Sequence, residues 1–308
     1  MNADVDGPAF RAAVLDWYDR QGRRLPFRGP TDPYLVLVSE AILQQTQVSR
    51  GGPAWEAFVA RFPTVQALAE ASPADVLRAW RGLGYNRRAI NLQRTARIVV
   101  NELAGRFPRD VAALERLPGV GPYTARAVAS IAFGLPVGAV DTNVRRVLGR
   151  VAAGDSASIR ARDLQALGDA LASVDRPGDW THALMDLGST LCTPRRPRCV
   201  ACPVRSMCRY ALAAARTADT RATSEAEPGL PGSARERATP FPSSRRWLRG
   251  RILDRLRDAD DDAWIRFDDP IGDHDRIAVG EALRAMAREG LVELSPDPAP
   301  LRARLPIV

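Results

Sequence analysis

Cys192, Cys199, Cys202 and Cys208 are the only cysteines in a chain of 308 residues, spaced C-x6-C-x2-C-x5-C. Pro194, Pro197 and Pro203 lie among them. Four thiols in so short a loop make a metal site, and an intracellular setting argues against disulfides. Structural zinc usually shows two C-x2-C pairs, whereas here only Cys199 and Cys202 are so placed. Four cysteines also hold a cubane iron–sulfur cluster, and the spacing leans towards the cluster without deciding it. Two carboxylates invite a second kind of chemistry. Glu40 lies among Val36, Leu37, Ile42 and Leu43, surroundings that would raise its pKa towards that of a general acid working near neutrality. On sequence alone, an exposed glutamate on a helix face is the more ordinary reading. Asp141 stands just before a periodic segment, which makes it a natural helix N-cap, and a carboxylate there could also face a cationic transition state. All 44 basic residues are arginine, so no side-chain amine can form a Schiff base.

The elements that must hold these groups read as helices. Gly119-Val120-Gly121 follows a short helix over 111–116, stopped by Pro118, and precedes a second whose apolar face is Ala125, Val128, Ala129, Ile131 and Ala132. The glycines permit a tight turn, and Pro122 suits a first helical position. The turn predicts a helix-hairpin-helix with backbone N–H groups exposed at a helix N-terminus, an arrangement that binds phosphate. A helix over 8–20 buries Phe10, Val14, Leu15 and either Trp17 or Tyr18, and an apolar helix over 35–48 carries Glu40 and Gln44-Gln45-Thr46. Further helices are predicted over 53–61, 65–70, 73–80 and 87–104. Gly82-Leu83-Gly84-Tyr85 reads as a tight turn presenting apolar side chains, whether for packing or to wedge a base stack.

The net charge of +8 and pI near 10.1 suit a polyanionic partner, although the bias towards Arg, Ala, Pro and Gly weakens that inference. No apolar run reaches membrane-spanning length, and the first residues do not resemble a signal peptide, so a soluble cytoplasmic protein is expected. Residues 216–244 read as a linker. Beyond it, helices are predicted over 246–258 and 276–289, with short strands over 291–294 and 302–307.

Residues 10–210 resemble the helix-hairpin-helix DNA glycosylases, and within them the MutY-type adenine glycosylases. The matching segments are L-P-F-R near 25, D-P-Y near 32, S-E-A-I-L-Q-Q-T-Q-V at 39–48 and G-L-G-Y at 82–85. L-P-G-V-G-P-Y-T-A at 117–125, V-D-T-N-V-R-R-V at 140–147, A-L-M-D-L-G at 183–188 and the four cysteines complete them. The resemblance implies an all-α, two-lobed fold. Residues 1–29 and 135–215 would form a lobe around a [4Fe-4S] cluster ligated by the four cysteines, and residues 30–134 a six-helix barrel carrying the hairpin. Outside the resemblance, the pattern of helices and short strands after the linker over 216–245 reads as a small, winged-helix-like module over 246–308. Glu40 would be the catalytic acid, Asp141 the catalytic carboxylate, and Tyr123 and Asn143 their supports. Gln45, Leu83 and Tyr85 would probe or wedge the DNA stack, and Arg28 and Thr46 would contact the flipped adenine or its opposing base. Gly119, Val120 and Gly121 would hold backbone phosphate.

The implied function is base-excision repair by a monomeric, nucleoid-associated enzyme that removes adenine mispaired with 8-oxoguanine or guanine in double-stranded DNA. A thymine or uracil mismatch glycosylase of the same fold is the alternative. The related endonuclease III branch carries a lysine where Tyr123 stands, so base removal without strand cleavage is expected. The sequence departs from the family at Phe27 (usually Trp), Thr142 (usually Gly) and His182 (usually Gln or Glu). The residues after the linker match poorly the Nudix-like domain that many members use to read 8-oxoguanine.

Overall fold

The computed structural model describes residues 5–155, 159–221, 241–260, 262–297 and 300–307, with the side chains of 216–221 excepted. It is predominantly helical, as expected. The chain divides into two compact units: Met1–Leu37, Pro108–Arg116 and Val120–Leu230 form the first, and Val38–Phe107, Leu117–Gly119 and Pro231–Val308 the second. These cuts differ from the boundaries drawn on sequence, since residues 108–116 and 120–134 fall in the first unit and the C-terminal segment in the second.

In the first unit, α1 (Gly7–Gln21) begins at Asp6, whose carboxylate accepts from the Ala9 amide at 3.0 Å. Its buried Phe10, Val14 and Trp17 recur at helical spacing, and Phe10 meets Trp180 edge to face at 5.6 Å. Around them pack α9 (Thr142–Ala153), α10 (Ala161–Ala170), α11 (Pro177–Asp186) and α12 (Arg209–Arg221). A π-helical turn, Leu187–Leu191, follows α11 directly. Helices α7 (Val111–Glu115) and α8 (Pro122–Phe133) complete the unit. The predicted linker lies mostly outside the described residues, although α12 runs into it, to Arg221.

Helix α2 (Pro33–Leu43) ends five residues short of the predicted Val48. The next residues turn instead, with Gln45 at φ 57°, and α3 (Val48–Arg61) starts afresh. The second unit takes α2 from Val38 onwards and α3, and also holds α4 (Val65–Glu70), α5 (Pro73–Ala79) and α6 (Arg87–Asn101). Thr64 and Ser72 cap α4 and α5 by accepting from the amides three residues on. Phe58, Phe62 and Trp80 form an aromatic cluster, Phe58 lying 5.1 Å from Phe62 and 5.6 Å from Trp80.

The C-terminal segment of this unit contains α13 (Arg245–Arg257), α14 (Arg276–Arg288) and a three-stranded antiparallel sheet. Strand β3 (Arg302–Arg304) lies between β1 (Ile265–Arg266) and β2 (Glu293–Leu294), and β1 was not expected from sequence. Arg257 joins this segment to α5 and α6. Only 7% exposed, it donates from Nε to the Leu77 carbonyl at 2.9 Å and from Nη2 to Asn86 Oδ1 at 2.7 Å. The Ala74 amide donates to the Pro306 carbonyl at 2.9 Å.

Candidate active site and DNA-contact elements

Asp141 does cap α9. Its Oδ1 accepts from the Val144 amide at 2.7 Å, and its Oδ2 accepts from Asn143 Nδ2 at 2.9 Å, so the local geometry fixes the plane of the carboxylate. The Asn143 oxygen in turn accepts from Arg146 Nη2 at 2.8 Å. Arg146 also donates to the carbonyls of Gly188 and Cys192, both at 2.7 Å. Gly188 is required there, because a Cβ would stand 2.7 Å from that of Asn143. One turn further along α9, Arg150 donates to the Thr193 carbonyl at 2.8 Å and the Pro194 carbonyl at 2.9 Å, and lies 3.4 Å from Cys192 Sγ. Sequence reasoning missed both arginines. Their signal was spacing, since Asn143, Arg146 and Arg150 follow at three and four residues and so share a helix face.

The four cysteines are unpaired thiols packed against one apolar core that includes Leu191, Val204 and Ala211. Burial, augmented by the other three sulfurs, pushes the Cys202 thiol up to about 11, and burial raises Cys208 as well. Among the described residues no three His, Cys or acidic side chains converge closely enough to hold a single metal ion. The donor set itself, four soft sulfurs with an apolar backing and a neighbouring guanidinium, fits a cluster that carries negative charge.

Tyr123 lies on the first turn of α8, and its hydroxyl reaches Met185 Sδ at 3.8 Å. Ahead of it the hairpin turn has the expected form. Gly119 takes φ +77°, and a Cβ on it would stand 2.8 Å from the Asn91 Cβ. Among the described residues the amides of Gly119, Val120 and Gly121 donate to no protein group, while the Pro118 carbonyl accepts from Thr95 Oγ1 at 3.0 Å. Gly119 and Gly121 are exposed and Val120 is buried. A helix N-terminus offering such amides is suited to an anion.

Arg28 is committed within the protein. Its Nη1 and Nη2 donate to the two Asp186 oxygens at 2.7 and 2.8 Å, and Arg23 adds its backbone amide at 2.8 Å and Nε at 2.7 Å. Asp186 is fully buried. Burial alone would raise its pKa, but the hydrogen bonds and charge of Arg28, with those of Arg23, hold it below the usual carboxylate range. His182, one turn earlier on α11, has its pKa lowered to about 4, first by burial and second by the Arg28 charge.

Glu40 belongs to the second unit and is only 9% exposed, so the ordinary surface reading of this glutamate is corrected. The reason is α2 itself. Val36, Leu37, Val38, Ala41 and Ile42 are all buried, which leaves the helix no solvent face at that point. Beyond Glu40 the helix end is gathered by Arg88, whose Nη1 donates to the carbonyls of Ala41 and Gln44, both at 2.6 Å. Its Nη2 reaches the carbonyls of Leu83 and Gly84 at 3.2 and 3.3 Å. One arginine thus brings Gln45 and Thr46 together with Leu83 and Tyr85, and no motif pointed to it. Leu83 and Thr46 are buried, whereas Gln45 and Tyr85 are exposed and both have positive φ.

A model of the HhH-GPD superfamily base excision DNA repair proteins matches residues 38–169. An adenine DNA glycosylase of Mycolicibacterium smegmatis is 41% identical over 287 residues, 92% of each chain. The chain belongs to the adenine DNA glycosylase family. The human member is 46% identical over 213 residues, 65% of this chain and 39% of the human one, so that match spans about two fifths of its length. The mycobacterial match, by its coverage, takes in most of the C-terminal segment as well. Among solved structures, a thermostable thymine-DNA glycosylase superposes with a TM-score of 0.63 at 29% identity, over 67% of this chain and 97% of that one. Family membership thus rests on chain-long similarity to adenine glycosylases, while the fold is shared with a thymine enzyme.

Proposed function

We propose that the protein is a DNA N-glycosylase of base-excision repair, which hydrolyses the bond between adenine and deoxyribose where adenine is mispaired with 8-oxoguanine or guanine. The observation that carries this reading is the 41% identity to an adenine DNA glycosylase along nearly the whole chain. The two carboxylates suit the chemistry. A base in a duplex must be turned out of the stack before its glycosidic bond can be reached, and Leu83 and Tyr85 are the residues assigned to the gap. Glu40, in its apolar helix, delivers a proton to N7 of the adenine, so the C1′–N9 bond breaks with neutral adenine leaving. The Asp141 carboxylate, oriented by the Val144 amide and Asn143, faces the positive charge that develops on the sugar. Water adds to C1′ and gives up its proton, which leaves an abasic site and restores the acid. Tyr123 supports the sugar without attacking it.

Cys192, Cys199, Cys202 and Cys208 are the residues that would hold a [4Fe-4S] cluster, which when bound contributes electron-transfer capacity and a rigid core to its loop. Arg146 and Arg150 tie that loop to the helix capped by Asp141. No helix is long and apolar enough to cross a membrane among the described residues.

The test is base release from matched duplexes carrying A:8-oxoguanine, A:G, T:G and U:G. Release from the adenine duplexes, with strands broken only after hot alkali, is expected. Preferential release from T:G or U:G would replace this reading with a thymine or uracil glycosylase. Efficient borohydride trapping of the protein on DNA would contradict the monofunctional assignment, because a phenol forms no imine and the chain has no lysine.

A further inference from the structure

A groove of about 950 Å³ in the second unit lies between the Gly82–Tyr85 turn and α13. Eight arginines line it against two carboxylates, Asp254 and Glu289, and both acids are already engaged. Arg249 grips Glu289 with two hydrogen bonds of 2.9 and 2.6 Å, while Arg251 and Arg257 hold Asp254. Arg88 donates from both terminal nitrogens to backbone carbonyls, and Arg246 lies 4.3 Å over the Tyr85 ring and donates to its hydroxyl at 3.1 Å. Arg50, Arg87 and Arg245 remain. They come from α3, α6 and α13, all three are exposed, and among the described residues none has a carboxylate within ion-pair reach.

Three unpaired guanidiniums from three helices facing one groove repel one another, and an anion between them removes that cost. The rim points to the same occupant. Gln45 and Tyr85 are two of four non-glycine residues at positive φ among the described residues, strained conformations that persist where a site is pre-organised. We infer that this groove binds the DNA sugar–phosphate backbone, so that α13 makes the C-terminal module a phosphate clamp acting on affinity rather than a reader of the mispaired base. The inference rests on the DNA-repair reading above. Arginine forks match phosphate oxygens in pairs, and both carboxylates of the groove are already held by arginines, so neither is left to accept from base edges.

The experiment compares the intact protein with the double variant Arg87→Ala/Arg245→Ala by fluorescence anisotropy on two duplexes, one undamaged and one carrying A:8-oxoguanine, across a range of salt. Each lost phosphate contact lowers the slope of log K against log salt by about 0.9. A fall of about 1.8 is therefore expected, with the same fold-weakening on both duplexes. An unchanged slope overturns the clamp. Weakening confined to the mispaired duplex also overturns it, in favour of base reading. Arg50→Ala, on the third wall, repeats the measurement should the double variant fold poorly by circular dichroism; its expected fall is about 0.9. Adenine release by the unmodified protein is measured alongside. Its absence would defeat the proposed function while the salt slopes still decide the groove.

Discussion

His182 makes folding stability sensitive to pH in a window where few other groups titrate. Burial, and then the Arg28 charge, lower its pKa from 6.5 to about 4. The gap of about 2.5 pH units, at about 1.36 kcal/mol each, corresponds to roughly 3 kcal/mol. Because the folded-state pKa is the lower one, the unfolded chain takes up the proton first as pH falls. The contribution is therefore complete above pH 6.5, declines between 6.5 and 4, and loses nothing more below. Asp186 keeps its charge through this window, since its own pKa lies below the usual carboxylate value. The perturbation is His182→Gln, which removes the titration and keeps a polar side chain. The unfolding free energy of the intact protein minus that of the variant should fall by roughly 2 kcal/mol between pH 7 and pH 5. The chain has only two histidines, so the imidazole Cε1 proton resonances can be assigned from the variant and His182 followed directly. A His182 resonance titrating near 6.5 in the folded protein, or a stability difference independent of pH, would refute this account of its burial.

Asp186→Asn should destabilise the protein by about 3–5 kcal/mol in denaturant titration at neutral pH, because it leaves Arg28 and Arg23 facing a neutral amide. As the Asp186 pKa is depressed, the wild-type advantage should persist above about pH 4 and vanish as pH falls further. Gly119→Ala places a Cβ at positive φ and against Asn91, so a stability loss of at least about 1 kcal/mol is expected, together with weaker binding to any duplex. Glu40→Gln should slow single-turnover adenine release by about 100-fold or more and leave DNA affinity nearly unchanged, since it removes a proton donor and almost no volume. Anaerobically purified protein should be brown with about four irons and matching sulfide per chain, and Cys199→Ser should lower both. Stoichiometric zinc without sulfide would rule the cluster out.

What the sequence determined by itself was local. Asp141 as a cap, Pro122 opening α8, and the glycine turn between α7 and α8 follow from interactions within a few residues, where side-chain type dictates backbone conformation. The segments resembling adenine glycosylases likewise pointed to the family that the chain-long comparison then showed. Periodicity found most helices, but it extended α2 to Val48. Gln44-Gln45-Thr46 holds no glycine or proline to stop a helix, and nothing local reveals that Arg88, more than forty residues on, takes the carbonyls that end the helix. The same limit hid the bond between Arg28 and Asp186, 158 residues apart, and so the reason why Arg28 is held inside the protein. It hid β1, whose two residues become a strand only by pairing with β3. Tertiary structure alone made Glu40 a buried carboxylate, because the exposure of a side chain depends on what the rest of the chain packs against its helix. It likewise brought Arg50, Arg87 and Arg245 to one groove. Charge can be counted along a sequence, but whether each guanidinium finds a carboxylate is decided only when distant helices meet.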